Sequence, residues 1–292
     1  MPSRTATRRA ASGRDCITIR RQRRGPEAAE GAAISDTHGE VLVGDGLAGS
    51  VAIVTGAAGG LGRAIVRRLR SAGVRVVAED IAPAVSELEA DDADVAALCG
   101  DVSLASTAQA AVALALGRFG RLDVLVNNAG RFVPRSLADT TDELWDELMA
   151  TNARGTFVHC RAALPALEAS PAAAIVNVAS ISGVVGLADQ VAYSATKGAV
   201  VALTRVLAVE CAGRGVRVNA IAPGAISTPL LHDALAGAPD LEETLRQIAG
   251  HHPLGRIASA EEIAEVTVFL ASRRASFMTG SIVLADGGYT AA

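Results

Sequence analysis

The sequence predicts an α/β protein whose strands form one parallel sheet. From Ser50 onward, short runs of β-branched residues alternate with longer segments of helical period, which is the pattern of repeated βαβ units. The 292 residues are 50% hydrophobic and only 3% aromatic, as expected where small helical residues pack closely on a sheet. Because the alternation never pauses, we expect a single domain over residues 47–292.

Seven runs are predicted to be strands, with helical segments between them. Each connection is long enough for a right-handed crossover between parallel strands. The expected strands span residues 51–55, 74–78, 95–99, 124–127, 175–179, 216–221 and 281–284. The fold class that follows is a doubly wound, parallel, seven-stranded sheet.

Residues 227–257 are the longest departure from this alternation. Prolines and glycines interrupt their apolar and charged residues at Pro229, Gly237, Pro239, Gly250, Pro253 and Gly255. Long connections on a rigid α/β frame often carry function, so we expect a mobile helical lid here. The alternative is an ordinary surface excursion.

The first 46 residues differ from the rest of the chain. They have no sustained apolar period, and residues 1–24 hold eight Arg and one acidic residue, Asp15. We expect this segment to be poorly ordered. Three interpretations stay open: a neutral extension or mis-assigned start, a tail for nucleic acid or another acidic partner, and an organellar transit peptide.

Charge and cysteine content exclude several classes of protein for the remainder. Without the eight arginines and Asp15 of residues 1–24, the chain has 19 of its 27 basic and 30 of its 31 acidic residues left. This excess of negative charge argues against nucleic-acid binding by the folded part. No apolar stretch approaches the roughly 18 residues of a membrane span. The four cysteines are scattered without a C-x-x-C pair, so we expect neither disulfides nor a metal site, and a cytoplasmic setting.

A glycine-rich turn, T-G-A-A-G-G-L-G at residues 55–62, follows the first predicted strand. Glycines at positions 56, 60 and 62 allow a tight turn and a close approach of ligand to backbone, and the following helix offers free N–H groups to a pyrophosphate. The spacing is G-x-x-x-G-x-G, which differs from the general G-x-G-x-x-G dinucleotide pattern. The alternative is a turn with a purely structural role.

An acidic residue ends the second predicted strand. Asp80 lies 18 residues beyond Gly62, where a carboxylate would meet the adenosine ribose hydroxyls of a dinucleotide. Such a carboxylate favours NAD and repels the extra phosphate of NADP, and neither Gly59 nor Ile81 supplies a neutralising cation. The alternative is a solvated acid at a strand end. Asp101, after the third strand, is a plausible adenine contact.

The single lysine of the chain, Lys197, follows one of its two tyrosines, Tyr193, by four residues. On a helix these positions share a face, so the ammonium can lie near the phenol. A nearby cation lowers the pKa of a phenol, which would make Tyr193 a usable acid and base near neutral pH. The alternative is a chance pair.

Several motifs together are typical of one known family, and they are T-G-A-A-G-G-L-G at 55–62, Asp80, D-V at 101–102, N-N-A-G at 127–130, Asn152, Ser180, Y-S-A-T-K at 193–197, P-G at 223–224 and D-G-G at 286–288. From about residue 47 to 291 the chain resembles the short-chain dehydrogenase/reductase family in its shorter, single-domain form. The resemblance implies a Rossmann fold with strand order 3-2-1-4-5-6-7 and hydride transfer between NAD(H) and a secondary alcohol or ketone.

The resemblance also implies roles for four side chains. Tyr193 would be the general acid/base, and Lys197 would lower its pKa and bind the nicotinamide ribose. Ser180 would hold the substrate oxygen, whereas the competing hydroxyl of Ser182 lacks the family spacing. Asn152 would keep a water and Lys197 in a proton relay, the alternative being an ordinary helical Asn.

The cofactor-binding residues implied in the same way come from the glycine-rich turn, the strand ends and the loop after the sixth strand. They are Gly56, Gly60, Leu61, Gly62, Asp80, Asp101, Val102, Asn128, Ala129, Gly130, Tyr193, Lys197, Pro223, Gly224, Ile226 and Thr228. The segment 127–130 would also steady the sheet. The family usually forms tetramers, so we expect a homotetramer or homodimer through apolar helices near 144–167 and 194–211.

Competing interpretations remain beside this one. A sensor or structural protein that binds NAD without turnover is the alternative function, although such relatives tend to lose the Tyr or the Lys. His159 and Trp145 are interpreted as packing or interface residues, and the His251–His252 pair lacks the companions of a metal site. Residues 184–190, with Leu230, Leu231 and Leu235, suggest a mainly apolar pocket. We therefore expect the substrate to be a cyclic or medium-sized, mainly apolar alcohol or ketone.

Overall fold

Parallel strands form one continuous sheet in the computed structural model, which describes residues 45–292. The sheet order is β3-β2-β1-β4-β5-β6-β7, and every neighbouring pair is parallel. The strands are β1 (Val51–Thr55), β2 (Arg75–Asp80), β3 (Val95–Cys99), β4 (Val124–Asn127), β5 (Ala174–Val178), β6 (Arg217–Pro223) and β7 (Ile282–Ala285). The predicted fold class and strand order are confirmed. The expectation for the N-terminal extension lies outside the described residues, apart from positions 45 and 46.

Helices connect the strands and cover both faces of the sheet. They are α1 (Gly60–Ser71), α2 (Ser86–Asp91), α3 (Ala105–Phe119), α4 (Asp142–Leu148), α5 (Gly155–Leu167), α6 (Val191–Cys211), α7 (Pro229–Ala234), α8 (Leu241–Gly250) and α9 (Ala260–Ala271). A π-helical turn, Met149–Arg154, joins α4 to α5. Short 3₁₀ turns lie at Pro83–Val85, Ile181–Gly183, Ala212–Arg214, Arg273–Ala275 and Tyr289–Ala291.

Alternate residues of the central strands enter two hydrophobic cores, one on each face. In β1, Ala52 and Val54 face the core formed with α1 and α9, whereas Val51 and Ile53 face the core formed with α3, α5 and α6. All four are fully buried. A strand buried on both faces must be apolar throughout, which is why β1 reads V-A-I-V-T without polar alternation. Burying one side chain the size of Ile53 stabilises the fold by about 1.5–3 kcal/mol.

Strand bounds differ from the sequence expectation mainly at the carboxyl ends, where the functional residues lie. The second strand continues through Glu79 and Asp80, because both still pair with Leu98 and Cys99 of β3. The sixth continues to Pro223, which pairs with Ala285. Polar residues and a proline hide these continuations in the sequence, although the backbone remains in the sheet.

The segment 227–257, which we call the lid segment, contains α7 and α8. Its helical character matches the expectation, whereas its mobility remains a prediction. None of the described helices is long and apolar enough to cross a membrane.

A buried carboxylate ties the start of β1 to the turn before β4. Asp123 accepts hydrogen bonds from the Val51 N–H at 2.9 Å, from the Arg121 guanidinium at 2.7 and 2.8 Å, and from the Ser170 hydroxyl at 2.5 Å. Burial alone would raise the pKa of Asp123, but these donors together hold it below its ordinary value. The ionised form therefore stabilises the fold.

We expect Asp123→Asn to lower the free energy of unfolding by about 1–3 kcal/mol at pH 7, since buried donors lose a charged acceptor. The lowered pKa means that this contribution is present above the ordinary Asp pKa and is lost as the pH falls through the folded-state value. Urea unfolding between pH 7 and pH 3 measures the difference. Asp94→Asn, at an exposed ion pair with Arg70, is the control and should change stability by less than about 0.5 kcal/mol. If the difference in free energy of unfolding between wild type and Asp123→Asn grew as the pH fell, this account would be contradicted.

Candidate active site

The glycine-rich turn between β1 and α1 is packed too tightly for side chains at three of its positions. Gly56 has φ +65°, and a Cβ there would lie 2.7 Å from the Ala129 Cα. A Cβ on Gly62 would lie 2.0 Å from the Gly56 carbonyl oxygen. A Cβ on Gly60 would lie 2.9 Å from the Pro229 ring, where the lid segment begins. The glycines thus bring the first turn of α1, the end of β4 and the lid segment together.

Asp80 fixes the other side of this turn. Its carboxylate accepts the Ala58 N–H and the Ala82 N–H, each at 2.9 Å. Each carboxylate oxygen can accept a further hydrogen bond, so Asp80 can still receive ribose hydroxyls. The next residue, Ile81, is 69% exposed and brings no positive charge.

Hydrogen bonds join the N-N-A-G segment to the glycine-rich turn. The Thr55 hydroxyl accepts the N–H groups of Asn128 and Ala129 at 3.1 and 3.0 Å. The Asn128 amide donates to the carbonyls of Thr55 and Gly56 at 2.9 and 3.0 Å. These bonds hold the carboxyl ends of β1 and β4 side by side, which gives Asn128 a structural role within the site.

Tyr193 and Lys197 lie one turn apart on α6, with both side chains at the carboxyl end of β5. The Lys197 ammonium donates to the Val178 carbonyl at 2.8 Å and lies 5.7 Å from the centre of the Tyr193 ring. Phe132, which sequence reasoning missed, meets that ring edge-on at a centroid distance of 4.7 Å. Together these contacts hold the phenol in one orientation.

Burial shifts the pKa values of this pair in opposite directions. It raises the pKa of the Tyr193 phenol to about 12, against a hydrogen bond with Ser180 that lowers it, and it lowers the pKa of the Lys197 ammonium to about 8. In this arrangement the pKa of the phenol is thus raised, and not lowered as the sequence led us to expect. The phenol is protonated at neutral pH and can donate a proton.

Ser180 lies two residues after the end of β5 and contributes its hydroxyl to a chain of polar groups. It donates to the Ser182 hydroxyl at 3.1 Å, and Ser182 donates to the Gln190 side-chain carbonyl at 2.7 Å. Of the two serines, Ser180 lines the central cleft and contacts Tyr193, whereas Ser182 lies behind it. The geometry agrees with the family spacing in favouring Ser180.

Asn152 lies in the π-helical turn between α4 and α5 and is fully buried. Its amide accepts the Arg131 N–H at 2.8 Å and donates to the Arg131 carbonyl and the Thr196 hydroxyl, each at 3.0 Å. Thr196 precedes Lys197 on α6, so Asn152 supports the helix that carries the Tyr–Lys pair. It does not line the cleft, and the proton relay through Lys197 stays a prediction.

One cleft of about 680 Å³ runs along the carboxyl ends of the strands and collects these groups. Ser180 and all the predicted cofactor residues line it: Gly56, Gly60, Leu61, Gly62, Asp80, Asp101, Val102, Asn128, Ala129, Gly130, Tyr193, Lys197, Pro223, Gly224, Ile226 and Thr228. Of the predicted substrate leucines, Leu230 lines it, whereas Leu231, Leu235 and residues 184–190 lie outside its lining.

Charged cleft residues also escaped the sequence reasoning. Arg131 and Glu147 form an ion pair at the wall, and Asp233 enters from α7 of the lid segment. Arg131 directly follows N-N-A-G, and this adjacency was the available signal. Glu147 and Asp233 sit on surface helices without motif spacing, so only the tertiary structure brings them here.

The histidines and Trp145 fall where packing residues are expected. His159 is buried, with Nε2 2.8 Å from the Glu79 carboxylate and Nδ1 3.0 Å from the Gly155 carbonyl. Trp145 is 38% exposed on α4. No group of His, Cys, Asp and Glu side chains within residues 45–292 is arranged to hold a metal ion.

Comparisons with known proteins show which family the chain belongs to. The family model described as "Enoyl-(Acyl carrier protein) reductase" matches residues 56–290. A cis-4-hydroxycyclohexanecarboxylate dehydrogenase of Sinomonas cyclohexanicum is 42% identical over 85% of this chain and 100% of its own length. A D-threitol dehydrogenase of Mycolicibacterium smegmatis is 40% identical, over 84% and 94%. The solved structure of a Thermoplasma acidophilum aldohexose dehydrogenase superposes with TM-score 0.79 at 31% identity, over 85% and 96%.

We expect Gly62→Ala to weaken NADH binding at least tenfold and to lower the melting temperature, because its Cβ meets the Gly56 carbonyl and the turn must open. Gly117→Ala in α3 is the matched control, since a Cβ there meets nothing within 4 Å. Fluorescence titration and thermal unfolding measure the two effects. Equal NADH affinity in both variants would contradict the assignment of this turn to the cofactor.

Proposed function

Because the chain belongs to the short-chain dehydrogenase/reductase family, we propose that it is an NAD(H)-dependent oxidoreductase that interconverts a secondary alcohol and a ketone. The observation that carries the proposal is the convergence of Ser180, Tyr193 and Lys197 in the cleft that also contains the glycine-rich turn and Asp80. An alternative role as a sensor or structural protein that binds NAD without turnover would need none of these three side chains.

The cleft fits a nicotinamide dinucleotide. The close packing at Gly56 and Gly62 leaves backbone N–H groups at the start of α1 free to meet a pyrophosphate. Asp80 lies at the adenosine end of the cleft, and Lys197 lies at the end near Tyr193, where it can reach a ribose hydroxyl. When bound, the nicotinamide ring supplies or accepts the hydride.

The protein supplies alignment and a proton. Ser180 can donate a hydrogen bond to the substrate oxygen as negative charge develops there. Tyr193, protonated because its pKa is raised to about 12, can transfer its proton to that oxygen during reduction. During oxidation the same phenol must first lose a proton, which the nearby Lys197 cation favours whenever it is charged.

We propose NAD rather than NADP as the cofactor. Both carboxylate oxygens of Asp80 accept hydrogen bonds from backbone N–H groups, so the carboxylate cannot rotate away from the proposed position of the ribose. A phosphate on the adenosine ribose would meet this charge, and the exposed Ile81 beside it offers no compensation. Two described residues that line the cleft carry a positive side chain: Lys197, beside Tyr193, and Arg131, which is paired with Glu147.

The proposed substrate is a cyclic or medium-sized alcohol or ketone that is mainly apolar. Two relatives are named for cyclic substrates, the hydroxycyclohexanecarboxylate dehydrogenase and a 2,5-dichloro-2,5-cyclohexadiene-1,4-diol dehydrogenase of Sphingobium indicum, the latter 40% identical over 84% of this chain. Leu230 gives the cleft an apolar wall beside the catalytic groups, and Asp233 adds polarity.

We also propose a cytoplasmic homotetramer or homodimer. Support comes from exposed apolar side chains on the predicted interface helices: Trp145, Phe157, Val206 and Val209. Three cysteines within the described residues, Cys99, Cys160 and Cys211, are free thiols, as is usual in a reducing compartment.

We expect NADH to bind at least tenfold more tightly than NADPH, because a phosphate must approach Asp80. Ile81→Arg should narrow this preference by supplying a cation, whereas Ile81→Gln, of similar length and no charge, should leave it unchanged. Fluorescence titration with both cofactors measures it. If the wild type bound NADPH more tightly than NADH, the proposed role of Asp80 in cofactor selection would be wrong.

Tyr193→Phe should reduce turnover about 10²- to 10⁴-fold, the range for loss of a general acid/base. NADH affinity should change less than threefold, since the ring and its contact with Phe132 remain. Absorbance of the nicotinamide, followed with a panel of cyclic ketones and secondary alcohols, gives the rate. A Phe variant as active as the wild type would show that another group moves the proton.

A further inference from the structure

His252 is a buried histidine that the proposed reaction does not use. It follows α8 near the end of the lid segment and is 4% exposed. Its ring lies between three parts of the chain: the loop after β6, the last turn of α8, and the segment after β7.

The hydrogen bonds of the ring fix its protonation state. Nδ1 lies 2.8 Å from the Ile248 carbonyl, which can only accept, so Nδ1 carries a proton. Nε2 lies 3.1 Å from the Ala225 N–H, which can only donate, so Nε2 carries none. The geometry therefore requires the neutral ring with its proton on Nδ1.

Packing leaves this ring no alternative position. A Cβ on Gly224 would lie 2.6 Å from Nε2, and a Cβ on Gly287 would lie 3.4 Å from the His252 Cβ. Tyr289 meets the ring edge-on at a centroid distance of 5.3 Å. A side chain at Gly224 would therefore push the imidazole away from Ala225, whereas one at Gly287 would only touch His252.

The bond to Ala225 matters because of where that residue lies. Ala225 sits between Gly224 and Ile226, both of which line the cleft on the side of Tyr193 and Lys197. The Ala225 carbonyl also accepts the Ala258 N–H at 3.0 Å, so the loop is held from both sides of its backbone. A displacement at Ala225 would move the wall against which the nicotinamide is proposed to rest.

We propose that neutral His252 is a positioning residue that holds the cofactor loop, residues 223–226, in its binding shape and couples that loop to α8 of the lid segment. The cofactor part of this inference rests on the proposed function. The positioning of the loop does not depend on it.

A second proton on His252 would be incompatible with this arrangement. Nε2 would then be a donor facing the Ala225 N–H, so the hydrogen bond would be replaced by a repulsive contact. The cofactor loop therefore needs a hydrogen-bond acceptor at this position.

Two substitutions test the positioning role. In His252→Gln, a side-chain carbonyl can accept from Ala225 and an amide can donate to Ile248. In His252→Phe, the ring shape is kept and both hydrogen bonds are lost. His251→Gln, at the exposed neighbour, is the matched control.

The test has two measurements on the full chain at pH 8. Hydrogen-exchange mass spectrometry without cofactor follows residues 223–228, and fluorescence titration gives the NADH dissociation constant. His252→Phe should exchange faster than wild type in this segment and bind NADH about tenfold more weakly, as expected for one lost hydrogen bond and an unpaired N–H. His252→Gln and His251→Gln should stay close to wild type in both measurements.

The outcomes distinguish the inferences. Equal exchange of residues 223–228 in His252→Phe and wild type at pH 8 would overturn the positioning role. Should the Phe variant fail to fold, a folded His252→Gln variant that exchanges this segment much faster than wild type would overturn the hydrogen-bond argument. If the exchange results are as expected and no variant binds NADH, the loop role stands and the proposed cofactor is wrong.

Discussion

The close approach of the first turn of α1 to the glycine-rich turn is the constraint on which the rest of the site depends. Only hydrogen atoms fit where Gly62 faces the Gly56 carbonyl, and this contact sets the start of α1. The Ala58 N–H then reaches Asp80, and Gly60 receives Pro229 of the lid segment. The glycine-rich turn therefore fixes two positions: that of Asp80, the carboxylate proposed to select the cofactor, and that of Pro229, where the lid segment begins.

Several buried polar groups along the carboxyl edge of the sheet are paired. Lys197 loses its hydration and recovers part of that loss through the Val178 carbonyl. Below Asp80, the fully buried Glu79 and His159 share a hydrogen bond of 2.8 Å. Since the Gly155 carbonyl requires a proton on His159 Nδ1, one further proton is shared between that ring and Glu79. These pairs make the edge rigid, because removing one partner leaves a buried polar group unmatched.

Local patterns were sufficient for the fold and for most of the cleft. The run V-A-I-V-T predicts β1 with its bounds, and the four-residue spacing of Tyr193 and Lys197 predicts a shared helix face. Contacts between distant segments leave no such pattern. Phe132 reaches Tyr193 from the loop after β4, and His252 reaches Ala225 across 27 residues. Sequence reasoning treated the His251–His252 pair only as a failed metal site, because a single buried histidine has no spacing to recognise.

A crystal structure of the full chain with NAD⁺ would test the central claim most directly. The account predicts the pyrophosphate against the N–H groups at Leu61 and Gly62, an adenosine ribose hydroxyl within hydrogen-bond distance of the Asp80 carboxylate, and the nicotinamide ribose beside Lys197. The nicotinamide face should lie open to the hydroxyls of Ser180 and Tyr193. A dinucleotide bound elsewhere, or one whose nicotinamide points away from Tyr193, would contradict it.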